Sequence, residues 1–254
     1  MITVISPAKK LDFKTKTKGR NYTTPEFLDK SAEIIDVIRQ FSPKDLAVLM
    51  NVSDDIANLT FERHSKWKTP FNPENAKPAI HAFKGDVYRG MSADTFSRED
   101  LEFAQDHLRI LSGLYGVLRP LDMIQPYRLE MGTKFKPFGG KNLYGFWTET
   151  ITSAINENLK EHKEKVLVNL ASQEYFKAID KSMLEEDVVT PVFKEFKGNK
   201  YKVVGIHAKK ARGMMCRFII QNRIEKAEDM KLFNEEGYSY DDNLSNEREW
   251  IFTR

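Results

Sequence analysis

Apolar positions along this chain recur at two spacings, and the switches between them mark out the elements. Ile2 to Ile5 is a short apolar, β-branched run, which predicts a buried strand. Thr24-Pro25-Glu26 predicts a helix start, with Thr as N-cap and Pro at the first helical position. Leu28, Ala32, Ile35 and Ile38 then recur at helical spacing. Ser42-Pro43-Lys44-Asp45 has the pattern of a capping box and opens a second helix through Leu46, Leu49 and Met50. After Asn51-Val52, Ser53 can cap a third helix carrying Ile56, Leu59, Arg63 and Trp67.

Farther along, Ala79 to Phe83 predicts a strand, and Ser97-Arg98-Glu99-Asp100 caps a helix striped by Leu101, Ala104, Leu108 and Leu111. Trp147, Ile151, Ile155 and Leu159 mark another helix. Val166 to Leu170 is too short and too β-branched for a helix and reads as a buried strand. Residues 188–196 and 200–207 flank Gly198-Asn199, a two-residue turn signal, which predicts a β-hairpin. A basic helix follows from Ala211 to Ile224, with Met215, Phe218, Ile219 and Asn222 on one face. Strands and helices mix without strict βαβ alternation, and no linker or repeat divides the chain. The expectation is an α+β fold: a single domain, 1–254, with a mixed central sheet and surrounding helices.

Composition narrows the class. A chain of 254 residues can bury one large core without outside staples. Its longest charge-free run, Ile110 to Leu118, is far short of the roughly 20 residues of a membrane helix. The N-terminus lacks the basic lead-in of a signal peptide, and one cysteine allows no internal disulfide. A cytoplasmic monomer away from membranes is expected. The net charge of +3 is too small to argue for nucleic acid, but the charge is unevenly placed. Lys9, Lys10, Lys14, Lys16, Lys18 and Arg20 face only Asp12 within residues 8–20. Lys209, Lys210, Arg212 and Arg217 form a second basic stretch without an acid.

Several predicted loops beside strands carry polar residues and glycines where a core would want apolar ones. They are Ser6-Pro7-Ala8-Lys9, Phe83 to Tyr88, Leu111 to Pro120, Tyr127 to Gly132, and Asn169 to Tyr175. Glycine lets backbone approach a ligand, and functional side chains gather on loops held by a scaffold. The strings ISPAK, FKGDVY, LSGLYGVLRPLD, QPYRLEMG, NLAS-x-EY, KKARG and RFII occur here in that order. In them the chain resembles the YaaA family of bacterial peroxide-stress proteins, from residue 1 to about residue 252. The resemblance implies a cytosolic α+β protein that limits oxidative damage and free intracellular iron. It also implies DNA binding through a positively charged cleft and a helix–hairpin–helix element. No reaction comes with it.

The helix–hairpin–helix carry-over falls on residues 43–67. Such elements aim backbone N–H groups at a phosphate. This chain departs from the usual pattern, with Asn51 and Ser53 where glycines stand and with Asp54 and Asp55 in the first turn of the second helix. Acids there favour the helix dipole but repel phosphate, so a plain αα-hairpin remains the alternative.

The candidate phosphate-binding or nucleic-acid-binding residues are Lys9, Lys84, Arg119, Arg128, Lys209, Lys210, Arg212 and Arg217. Arg119 and Arg128 could instead pair with Asp122, Asp86 or Glu130. The candidate pocket-lining residues are Ser6, Asp86, Tyr88, Ser112, Tyr115, Glu130, Asn169, Ser172, Glu174 and Tyr175. His64, His81, His107, His162 and His207 are dispersed without metal-ligand spacing, so neither a metal nor a cofactor is expected. Cys216 sits in a helical stripe without a resolving partner, which favours a buried, inert thiol over a peroxide-reactive one. Two functions stay open. The first is a protein that binds DNA in a basic cleft. The second is an enzyme acting on a nucleotide or other phosphate-bearing small molecule in a polar pocket.

Overall fold

The computed structural model of the chain describes residues 1–15, 21–136 and 139–254, so Lys16, Lys18 and Arg20 lie outside the described residues. The chain opens with β1 (Ile2–Ile5) and a short β2 (Lys10–Leu11). Three helices follow: α1 (Leu28–Ile38), α2 (Pro43–Met50) and α3 (Asp54–Lys66). Next come β3 (Lys77–Pro78), α4 (Ala79–Ala82), β4 (Phe83–Lys84), α5 (Asp86–Met91) and α6 (Arg98–His107). After β5 (Leu108–Ser112), β6 (Gly116–Leu118) and β7 (Met123–Ile124) runs the long helix α7 (Leu143–Lys160). The last part holds β8 (Val166–Asn169), α8 (Gln173–Phe176), β9 (Asp187–Lys197), β10 (Lys200–Lys202) and α9 (Gly205–Gln221). It ends with β11 (Ser239–Tyr240) and β12 (Glu249–Thr253).

The main sheet is mixed and eight-stranded, in the order β11-β12-β9-β8-β1-β5-β6, with β10 folded back on β9. Its inner strands β12, β9, β8, β1 and β5 are parallel. Antiparallel pairing is confined to β6, β10 and β11. Parallel strands are covered on both faces, which is why Ile2 to Ile5 and Leu167-Val168 are continuous apolar runs instead of alternating ones. On α7, Leu143, Trp147, Ile151, Ile155 and Leu159 are fully buried, and the helix packs on β1 and β6. From β1 the chain reaches β5 on one side, then returns to lay β8 on the other edge of β1. The strand order therefore reverses between β1 and β8.

Both capping boxes form, at Ser42 with Asp45 and at Ser97 with Asp100. Asn51, in the left-handed region at φ 49°, closes α2 and turns the chain into α3, giving an αα-hairpin; Ser53 occupies the N-cap position without a side-chain bond. Some local expectations fail, each because tertiary bonds override a local signal. Helix α1 starts at Leu28 and not at Thr24-Pro25, because Thr23 is held in an extended bridge, its N–H donating to Leu121 O and its carbonyl accepting from Met123 N. Ala79 to Ala82 forms a helical turn, with the Ala79 and Ile80 N–H groups satisfied by Asp122 and Pro120 carbonyls. Leu108 and Leu111 belong to β5, not to the stripe of α6, because Leu108 pairs with Thr3 of β1 and Leu111 with Val117 of β6. The second hairpin strand ends at Lys202 and α9 begins at Gly205, so Lys209 and Lys210 lie inside the helix.

Candidate functional site

Two loops leave the sheet at its switch point. Ser6 to Lys9 follows β1, and Leu170 to Ser172 follows β8. In open parallel sheets the crevice outside the carboxyl ends of the strands, where the strand order reverses, is the place left free for a ligand. A cavity of about 350 Å³ lies there. Its walls come from these two loops, from Lys84 to Tyr88 at the start of α5, from Glu174 and Tyr175 on α8, and from Lys209 and Arg212 on α9.

Hydrogen bonds lock the loops together. Ser172 N–H donates to Ser6 Oγ at 2.8 Å, and the Ser6 hydroxyl donates to Ser172 Oγ at 3.1 Å. The Tyr88 hydroxyl donates to the Ser6 carbonyl at 3.1 Å. Tyr88 and Tyr175 are buried, and burial holds both hydroxyls protonated, far above the ordinary tyrosine value. Asn169 Oδ1 accepts from Ala171 N–H at 3.0 Å and shapes the turn off β8. Two glycines set the width of the site. A Cβ on Gly90 would lie 2.1 Å from the Lys210 carbonyl oxygen, and one on Gly213 would lie 1.9 Å from that of Val87. Helices α5 and α9 therefore touch backbone to backbone, which brings Asp86 and Arg212 to the walls of one cavity.

The charges around the site differ in whether they are satisfied. Glu130 Oε1 lies 2.9 Å from Arg128 and 3.4 Å from Lys9, bridging two cations. Glu174 Oε1 accepts from Gly132 N–H at 3.1 Å. Asp86 pairs with Arg89, and Lys84 lies 3.4 Å from Asp94. Arg212 is different. Burial alone pushes its guanidinium pKa down, and among the described residues it makes no hydrogen bond or ion pair. Exposed Lys209 likewise has no carboxylate partner among them. The Nε of Arg128 is buried and also lacks an acceptor.

Lys9, Lys84, Lys209, Arg212, Ser6, Asp86, Tyr88, Ser172, Glu174 and Tyr175 thus converge on one cavity. Lys10 joins them, a residue the sequence marked only as part of a basic run. The helix contact made by Gly90 and Gly213 escaped the sequence reading, in which Gly213 figured only as the last residue of KKARG. Other candidates stand apart. Arg119 donates to Asp122, which is 1% exposed, and to Thr24 O. Lys210 pairs with Glu236 and Arg217 with Glu235. Ser112 and Tyr115 are fully buried. The Ser112 hydroxyl lies 2.7 Å from the Tyr127 hydroxyl, and Tyr115 Oη accepts from Trp67 Nε1 at 3.0 Å.

Cys216 is buried, its Sγ lies 3.7 Å from Met91 Sδ, and burial pushes its thiol up to about 12. His107 and His162 meet edge to face at 4.6 Å near Met1, at the amino ends of the parallel strands. Among the described residues no cluster of three or more His, Cys, Asp or Glu side chains could hold a metal ion. None of the described helices is long and apolar enough to cross a membrane.

The family model for "Peroxide stress protein YaaA" matches residues 1–244. The chain belongs to the YaaA family. It is 50% identical over 256 residues to a UPF0246 protein of Paraburkholderia phytofirmans, covering 100% of this chain and 98% of the relative. A UPF0246 protein of Hahella chejuensis is 51% identical over 254 residues, covering 100% and 99%. The strings that carried the resemblance now have places. ISPAK, FKGDVY, NLAS-x-EY and KKARG each contribute to the cavity wall, whereas LSGLYGVLRPLD builds β5, β6 and the core beneath them.

Proposed function

We propose that this YaaA-family chain acts in peroxide stress, in the cytoplasm, by holding DNA in the basic cleft that opens at the carboxyl ends of β1 and β8. Bound DNA is thereby shielded from oxidative and iron-driven damage. The observation that carries the reading is Arg212. A guanidinium taken partly out of water without a counter-charge is costly, and a phosphate supplies the missing partner in planar, bidentate geometry. Lys209, Lys10 and the Lys9–Glu130–Arg128 bridge extend the positive rim along the backbone's path. The αα-hairpin of residues 43–67 is a second contact only if its exposed Asp54 and Asp55 turn away from phosphate.

The test is duplex affinity against salt for the wild type and Arg212→Gln. The variant should bind more weakly and lose about one unit of salt slope, since each neutralised phosphate contributes ~0.9. An unchanged affinity and slope sinks the reading.

A second reading rests on shape. A cavity of about 350 Å³ at a switch point, with two serine hydroxyls and Glu174 on its walls, suits one nucleotide or a similar phosphate-bearing small molecule. Competition separates the two. A nucleoside monophosphate that saturates the protein without displacing duplex assigns the cavity to a small ligand, on which an enzyme would act.

A further inference from the structure

The longest strand of the sheet does something its neighbours do not. β8 ends at Asn169, in register with Thr190 of β9, yet β9 continues to Lys197 before β10 turns back. Those seven further residues carry β9 roughly 20 Å past the end of β8, at about 3.3 Å per residue; β12 and Arg254 run beside them as far as Phe196, so the part that outruns both neighbours is the turn from Lys197 and β10. β9 is parallel to β8 and β1, so the hairpin projects from the same end of the sheet at which the cavity opens.

The tip of this arm is an odd mixture for a turn in water. Phe196 and Tyr201 are cross-strand partners, on one face, packed edge to face with centroids 5.2 Å apart. They are nevertheless 59% and 41% exposed, and Val203 and Ile206 beyond them are 52% and 57% exposed. Lys197 stands directly opposite Lys200, a like-charge pair that destabilises an isolated hairpin. Lys197, Lys200 and Lys202 are exposed and make no ion pair among the described residues. The acid of the arm, Glu195, is turned inward and held by Arg254, the Tyr238 hydroxyl and His207. Side chains alternate across the ribbon, so the exposed tip carries Phe196 and Tyr201 on one face and Lys197, Lys200 and Lys202 on the other.

We propose that the β9–β10 hairpin is a stacking arm for single-stranded DNA, with unpaired bases on Phe196 and Tyr201 and the flanking phosphates on Lys197, Lys200 and Lys202. It rests on the DNA reading of the cleft and specifies the form of DNA. Aromatic faces hold any base whose π-face is exposed, which a duplex hides, while lysines hold the backbone of either form. The three lysines, with no acid turned outward beside them, select a polyanion over an apolar protein surface. The shared sheet end places the strand's continuation beside Lys209 and Arg212.

The experiment measures binding of an oligothymidine of about 12 nucleotides, within the span such sites cover, and of a duplex of equal length, at several salt concentrations. Phe196→Ser with Tyr201→Ser should weaken single-strand binding by roughly 10-fold or more, leaving duplex affinity and both salt slopes unchanged. Lys197→Gln with Lys200→Gln should weaken both forms and flatten both slopes. Urea midpoints equal to the wild type confirm that these exposed changes leave the fold intact. An aromatic double variant that binds single strands as well as the wild type overturns the arm, even if Arg212→Gln still impairs binding and the cleft reading survives. A wild type that binds neither form overturns both readings. Capture by phosphatidylserine vesicles, lost in the aromatic variant while single-strand binding is not, would make the arm a membrane contact and overturn it too.

Discussion

Arg212 is where binding and stability pull in opposite directions. Its charge is half out of water and unpaired among the described residues, so the free protein carries a cost that a phosphate would relieve. We expect Arg212→Gln to weaken DNA binding while raising the stability read from urea unfolding by up to about 1 kcal/mol. A variant that loses both would mean that Arg212 has a structural partner. Arg119→Gln should behave in the reverse way. Asp122 is buried and pairs with Arg119, so its loss costs on the order of 3 kcal/mol while the folded fraction binds DNA normally. The sequence marked both arginines alike, because an arginine beside a loop has the same look whether a carboxylate or a cavity faces it. Only the fold separates them.

His64 gives a residue-scale test in pH. Burial pulls its pKa from 6.5 to about 4, and neighbouring Arg63 and Arg39 oppose protonation further. An unfolded histidine takes up its proton near 6.5, so between about 6.5 and about 4 the unfolded state binds a proton that the folded state refuses. Stability is therefore whole above pH 6.5 and falls as pH drops through that window, by up to ~3 kcal/mol. His162 is also lowered to about 4 and adds to the slope, so the test compares wild type with His64→Gln. The variant's urea midpoint should depend less on pH; equal slopes would show that His64 is protonated in the fold.

At the scale of elements, the contact between α5 and α9 is what holds the site together. Gly90 and Gly213 let two backbones touch, and a methyl on either would drive into a carbonyl. Gly213→Ala should cost about 1–3 kcal/mol by overpacking, and should also weaken DNA binding in the folded protein by displacing Arg212. If it destabilises without touching affinity, the helix position does not set the site. Elements with strong local signals were legible: the two capping boxes, the turn at Gly198-Asn199 and the apolar face of α7. Elements set by distant bonds were not. Thr24-Pro25 has a good cap signal, but Thr23 is already committed to the 121–123 segment. The glycine contact was illegible for the same reason, because the two chains that meet there are 123 residues apart, from Gly90 to Gly213.

At the scale of the whole molecule, strand order was the hidden variable. Apolar runs predicted β1 and β8 separately and left β5 hidden in the stripe of α6, and nothing local shows that β1 lies between β5 and β8 with all three parallel. That arrangement is what turns four scattered polar strings into one cavity. It also poses the question on which the function turns, whether the cavity serves as part of a DNA groove or holds a small ligand. A groove shares its work along a backbone, so each lost cation should reduce binding and protection by similar fractions. A pocket concentrates its work, so Arg212 should matter to protection far more than to bulk affinity. The measurement is survival under peroxide, at matched protein levels, set against duplex affinity at fixed salt. The variants are Lys10→Gln, Lys209→Gln, Arg128→Gln and Arg212→Gln, with Cys216→Ala as a control expected to change neither, because its thiol is buried and held protonated. We expect survival and affinity to fall together across the four cation variants, as the DNA reading requires. If Arg212→Gln abolishes survival with duplex affinity lowered no more than in Lys209→Gln, the two quantities have separated. The cavity's ligand is then a small phosphate-bearing molecule, and the groove around it is incidental.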